Sequence, residues 1–163
     1  MDIYELTESN SGFLDTKFLT LGEGKKYYIT KNSLPYVTVE VDSTDNPFDT
    51  ACIFGKFLCI GLYEKTAFIN LETLEFRFDK VEMYFGYFVI YNDMLFVLSG
   101  VGITAYDRDL NILWENSELA VDGVCIYGIS DDGKYLEISC ELDPPDGWVD
   151  KKIDIMTGDE YTS

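Results

Sequence analysis

Three short apolar runs, TACIFG, FLCIGLY and TAFINL, follow one another from residue 50 with only Gly, Lys or Glu between them. Each has the length of a strand rather than of a helix, and each is bounded by turn-forming residues. The same order recurs as YFVIYN, MLFVLSG and ITAYDRD, and again as VCIYGIS, YLEISCEL and KKIDIM. Cys52, Phe88 and Cys125 share a place in the first run, spaced 36 and then 37 residues. Leu58, Leu95 and Leu136 share a place in the second, spaced 37 and 41, and Asn70, Asp107 and Asp154 close the third, spaced 37 and 47. The growing offsets mark insertions in the last unit, at SDDGK and LDPPDGW.

The pattern also says which faces are buried. In the second run one face reads Leu58, Ile60, Leu62, then Leu95, Val97, Ser99, then Leu136, Ile138, Cys140. The opposite face is apolar in the first two units (Phe57, Cys59; Met94, Phe96, Leu98), which predicts strands buried on both sides. In the third unit it becomes Tyr135, Glu137, Ser139, as expected of a terminal sheet with one wet face. Upstream, YYIT and PYVTVEVD read as further strands, the latter with Val37, Val39 and Val41 on one face, and GEGKKYY reads as a hairpin turn. Only NPFDT and WENSELA have room for a turn or two of helix.

A period near 37 residues with several strands per unit is close to the length of a propeller blade. AYDRDLNILWE, with INLETLEFRF and IDIMTGDEY as weaker copies, resembles quinoprotein-type β-propeller repeats: a strand ends in Asp, turns, and resumes with an apolar–Trp pair. The resemblance covers roughly residues 50 to 161 and implies architecture alone, with none of the quinoprotein chemistry. The expected fold is all-β, with twisted antiparallel sheets of three to four strands stacked as a partial or open propeller-like array. Residues 1–163 form a single domain in this reading, with N-terminal strands in 1–50 and blade-like repeats at 51–86, 87–123 and 124–161. An open sheet edge then needs protection by charge or by pairing in a homodimer.

Charge narrows the partners. Thirty acidic residues against twelve basic ones give a formal charge of −18. Such a surface repels nucleic acid and anionic membranes, and attracts cationic proteins with a salt-sensitive rate. MDIYELTESNSG has neither a basic segment nor an apolar run, so no secretory signal is read there, and no stretch reaches the ~18 apolar residues of a membrane span. These features predict a bacterial cytoplasmic protein. Cys52, Cys59, Cys125 and Cys140 lie in apolar runs without C-x-x-C pairing, and are read as reduced core residues.

Little catalytic chemistry is encoded. With no histidine, the Ser-His-Asp and Cys-His nucleophile systems and His-based metal sites are unavailable. DRDLNILWENSE (107–118) has oxygens at calcium-loop positions one, three, five and twelve, but Ile112 stands where an EF-hand needs Gly. Asp107 is read instead as an Asx turn residue, with Asn111 taking the tight backbone that Gly158 supplies in the last copy. DSTDNPFD and DPPDGWVD also carry oxygens without a recognised ligand spacing. No catalytic, cofactor or metal residue is assigned.

The candidate partner-binding residues are Glu141, Asp143, Asp146 and Asp150 around Trp148, with Asp131 and Asp132 from the neighbouring turn, and Glu115 and Glu118 beside Trp114. An aromatic anchor ringed by carboxylates suits a cationic protein surface, whereas Trp114 is expected in the core. Size, charge and the lack of catalytic residues resemble bacterial toxin-immunity proteins, which implies neutralisation of a cationic, nuclease-like toxin domain. Two alternatives stand beside it. One is a propeller-type interaction scaffold. The other is a carboxylate enzyme acting on a sugar-like ligand, with Tyr84, Phe85 or Tyr87 as aromatic platforms.

Overall fold

The computed structural model describes residues 1–42 and 50–163. The described residues form fifteen strands and no helix. They divide into two compact units, Met1–Asp79 and Lys80–Ser163. NPFDT and DSTDNPFD fall largely outside the described residues, and WENSELA is the end of a strand followed by irregular chain.

The first unit opens with β1 (Tyr4–Thr7), β2 (Lys17–Thr20), β3 (Gly24–Lys31) and β4 (Leu34–Asp42), in the order β1-β3-β4-β2. β3 and β4 meet through Asn32 and Ser33, both at positive φ (51° and 65°), as a two-residue hairpin loop requires. β2 runs parallel to β4, with Lys17 opposite Val37. GEGKKYY is therefore not a hairpin turn: it carries the chain across the end of β4, from β2 to β3 on the other side. A second sheet, β5 (Thr50–Phe54), β6 (Phe57–Gly61), β7 (Lys65–Asn70) and β8 (Phe76–Lys80), is a simple meander. Val37, Val39 and Val41 form one core with Ile29, Leu58, Ile60, Ala67 and Ile69. Alternation along the strands places all of these on the inner faces.

In the second unit β9 (Phe85–Tyr91), β10 (Met94–Ser99), β11 (Ile103–Tyr106) and β12 (Ile112–Asn116) form another meander. β13 (Val124–Ile129), β14 (Tyr135–Asp143) and β15 (Gly147–Asp154) form a three-stranded sheet. Phe96, Leu98, Ile103 and Ala105 share a core with Leu136, Ile138, Cys140 and Ile153. Every residue of β10 is buried, as the doubly apolar pattern predicts. In β14 burial alternates, with Leu136, Ile138 and Cys140 fully buried and Tyr135, Glu137 and Ser139 only half-buried. The fold is thus all-β and propeller-like, with mostly antiparallel sheets of three or four strands.

The three Asx corners share one chemistry. Asn70 Oδ1 accepts from the backbone N–H groups of Glu72 and Thr73, and Asp154 Oδ1 from Met156 and Thr157. Asp107 Oδ1 accepts from Asp109 and Asn111 at 2.9 Å each. The corner then needs one residue at positive φ, which is Leu74 (63°), Leu110 (60°) or Gly158 (77°). The expectation for Asn111 is corrected here. The strained position is Leu110, and the Asn111 amide instead donates to the Asp107 carboxylate at 3.0 Å.

Candidate partner-binding surface

Period-two alternation along β15 sends Trp148, Asp150 and Lys152 to one face of the third-unit sheet, opposite Glu141, Ser139 and Glu137 of β14. The other face carries Ile138, Cys140 and Ile153 into the core. An outer face remains that bears two well-exposed aromatic rings, Trp148 at 44% exposure and Tyr127 at 59%. Carboxylates stand around them. Partial desolvation raises the Tyr127 phenol, and the Asp150 and Glu137 carboxylates raise it further.

Trp148 is held rather than loose. Its ring lies over Gly123, where an added Cβ would meet Cη2 at 2.9 Å, and Gly123 sits at φ 143°. Glu141 fixes both sides of this seat. Its backbone N–H donates to the Gly123 carbonyl at 3.0 Å, and its Oε1 accepts from the Asp146 backbone N–H at 2.9 Å. The Trp148 backbone N–H in turn donates to the Asp146 carbonyl at 3.0 Å, and the hairpin tip closes with Asp146 at positive φ (70°).

The predicted acidic residues do not all converge. Glu141, Trp148 and Asp150 share the outer face, with Asp143 and Asp146 at the adjoining tip. Asp131 and Asp132 lie in the β13–β14 turn at the other end of β14, about 30 Å away for nine residues at ~3.4 Å each. There they line an open depression with Tyr135, Glu137, Lys152 and Tyr161. Asp132 is committed to its turn, accepting from Ser130 Oγ at 2.7 Å and from the Lys134 N–H at 3.1 Å, and these bonds hold its carboxyl below the usual carboxylate range. Glu115 and Glu118 stand on β12 and just beyond it, on the neighbouring sheet. Glu137 is partly neutralised by Lys152 at 3.5 Å.

Trp114 is buried as expected, donating its indole N–H to the Ile155 carbonyl at 3.0 Å. The aromatic residues considered as sugar platforms are spent elsewhere. Phe85 is fully buried. Tyr87 accepts from the Ile126 N–H at 2.5 Å, and burial pushes its phenol up to about 12. Tyr84 donates to Asp122 at 2.7 Å. The cysteines also differ from expectation. Cys59 and Cys140 are buried, but Cys52 is half-buried and Cys125 exposed, because β13 turns Cys125 to the outer face while Val124 enters the core. Tyr127 and Glu137 were absent from the sequence-based candidates. The alternation of Cys125 and Tyr127 against Val124 and Ile126 was the signal that could have found the first.

No family model and no curated protein sequence matches the chain. Among solved structures it is similar to the computationally designed Ika4 protein, with TM-score 0.53, 10% identity, and 72% of each chain covered. It is also similar to hydrazine synthase of Kuenenia stuttgartiensis, which has a propeller-type fold, with TM-score 0.52 and 16% identity. That match covers 91% of this chain and 48% of the other. At these identities the likeness concerns the fold alone.

Proposed function

We propose that the chain is a non-catalytic binding module that docks a cationic protein on the outer face of the β13–β14–β15 sheet. In this reading it acts as an immunity protein, neutralising a basic, nuclease-like toxin domain. The observation that carries it is Trp148, 44% exposed yet seated on Gly123, with Glu141 and Asp150 on the same face. A rigid exposed indole is a typical hot-spot anchor, since it contributes large apolar area with little ordering cost. The carboxylates beside it complement the basic cleft that a nuclease needs to hold phosphates, and a net charge of −18 speeds the encounter.

The test is titration calorimetry at low and high salt against any small basic domain that a neighbouring gene proves to encode. Affinity is expected to fall at least tenfold with added salt, and Trp148→Ala to weaken it by roughly 30-fold or more, the ~2 kcal/mol of a hot spot. Absence of a complex at low salt removes the proposal. A propeller-type scaffold with an uncharged partner is the second reading, favoured by an apolar groove of Tyr91, Met94, Leu113, Ile155 and Met156. Its affinity would vary little with salt, and Leu113→Asp rather than Trp148→Ala would abolish binding.

A further inference from the structure

In the first unit, the β5–β6 hairpin sets Cys52 directly opposite Cys59. Directly opposed residues of an antiparallel pair lie about 4.5–5.5 Å apart at Cα, within the ~4.4–6.8 Å span that a disulfide bridges. Both side chains therefore leave the sheet on the same face. The blade pattern does not demand this pair. Counted by strand register, the residues opposite the counterparts of Cys59 are Val89, opposite Phe96, and Gly128, opposite Glu137, rather than the Phe88 and Cys125 that the sequence offsets align with Cys52.

We propose that Cys52 and Cys59 form a peroxide-oxidisable dithiol, closing to an intrachain disulfide across the β5–β6 hairpin. The exposure of the two sulfurs assigns their roles. Cys52 is half-buried and meets the oxidant, whereas Cys59 is fully buried and is shielded from thiols in solution. In the first step the Cys52 thiolate attacks one oxygen of the hydroperoxide. The O–O bond breaks, Cys52 becomes a sulfenic acid, and with hydrogen peroxide the leaving hydroxide takes up the thiol proton as water. In the second step the Cys59 sulfur attacks the Cys52 sulfur, and the sulfenic oxygen leaves as water with the Cys59 proton. Two thiols lose two electrons and two protons, and one hydrogen peroxide becomes two waters.

Burial raises the Cys59 thiol well above its usual value, while the charge of Arg77 acts in the opposite sense. Arg77 sits over the Phe68 ring at 5.3 Å, and Phe68 is the residue opposite Cys59 on β7. The second step is intramolecular, and it is sustained by proximity rather than by thiolate population. Cys125 and Cys140 have no such geometry: Cys125 faces Ser139 and Cys140 faces Val124, on opposite faces of their sheet.

Lys56 lies between the two cysteines, so trypsin separates residues 32–56 from residues 57–65. The experiment treats the folded full-length chain with hydrogen peroxide, alkylates it in denaturant, and digests it without reductant. The expected product is the two peptides joined at their summed mass less two hydrogens, separated again by dithiothreitol, and formed at a rate independent of protein concentration. Alkylation of the intact chain should fall from four thiols to two, with Cys125 and Cys140 still labelled. Cys52→Ser and Cys59→Ser should each abolish the joined species. Recovery of both peptides as separate alkylated species overturns the proposal. So does conversion of Cys52 to sulfinic acid with Cys59 still alkylatable, or a linkage that engages Cys125 or Cys140.

Discussion

Leu110 holds a backbone conformation that side chains resist, and it does so because its side chain is 1% exposed. Left-handed backbone costs a non-glycine residue roughly 1–2 kcal/mol, whereas fully burying a leucine contributes about 1.5–3 kcal/mol. Burial wins by a small margin. The usual ranking of substitutions should then invert at this site. Leu110→Ala keeps the strain and loses the core contact, costing about 2–5 kcal/mol, and Leu110→Gly should cost about 1 kcal/mol less because it relieves the backbone. Urea unfolding of the two variants orders them. Gly158 presents the reverse case at the equivalent corner. An added Cβ there would meet the Trp114 ring at 2.3 Å, at φ 77°, so Gly158→Ala should cost about 2–4 kcal/mol and lower the unfolding midpoint accordingly. The Asx corners were legible in the sequence because Asn and Asp announce such turns by type. Leu110 was not, since leucine carries no signal for positive φ. Counting four residues from the Asx, as from Asp154 to Gly158, lands on Asn111. The β11–β12 turn is one residue shorter, closing Asp107 N–H to Asn111 O where Asp154 N–H reaches Asp159 O.

At the scale of single elements, the hairpins couple stability to acid. Backbone donation from Asn111, then its side-chain amide, hold the Asp107 carboxyl below its usual value of 3.8. A carboxyl whose pKa is lowered by folding contributes stability that is complete above the unfolded value and lost as pH falls through the folded one. Asp107→Asn keeps an acceptor oxygen for the turn without the charge. The stability difference between wild type and this variant should therefore hold near neutrality and shrink below about pH 4, as followed by thermal melts across pH. On the outer sheet face, Gly123→Ala should displace the Trp148 ring, shifting its fluorescence and weakening partner binding while β13 and β14 stay paired. Acrylamide should quench Trp148 and spare the buried Trp114. Half of this candidate surface could be read from the chain: Trp148 amid acids drew attention without any structure. Its composition could not, because period-two alternation gathers Glu141, Trp148 and Asp150 but sends Asp131 and Asp132 to the far end of a nine-residue strand.

For the molecule as a whole, charge and core act against each other. A formal charge of −18 on 163 residues is self-repelling, and that repulsion is strongest in the compact state. Added sodium chloride should raise the melting temperature between ~10 and ~200 mM, as the screening length contracts from about 30 Å to under 10 Å. The same addition should weaken a cationic partner, so stability and affinity would move in opposite directions with salt. The two cores do not interleave along the chain: one runs from Tyr4 to Leu71, the other from Met94 to Ile155. A ribosome that has made the first core still has residues 80–163 to add, about 4–17 s of elongation at ~5–20 residues per second. Non-local β domains fold in about milliseconds to seconds. Residues 1–79 thus have time to mature, and to put the Cys52–Cys59 hairpin in place, before residues 80–163 leave the exit tunnel.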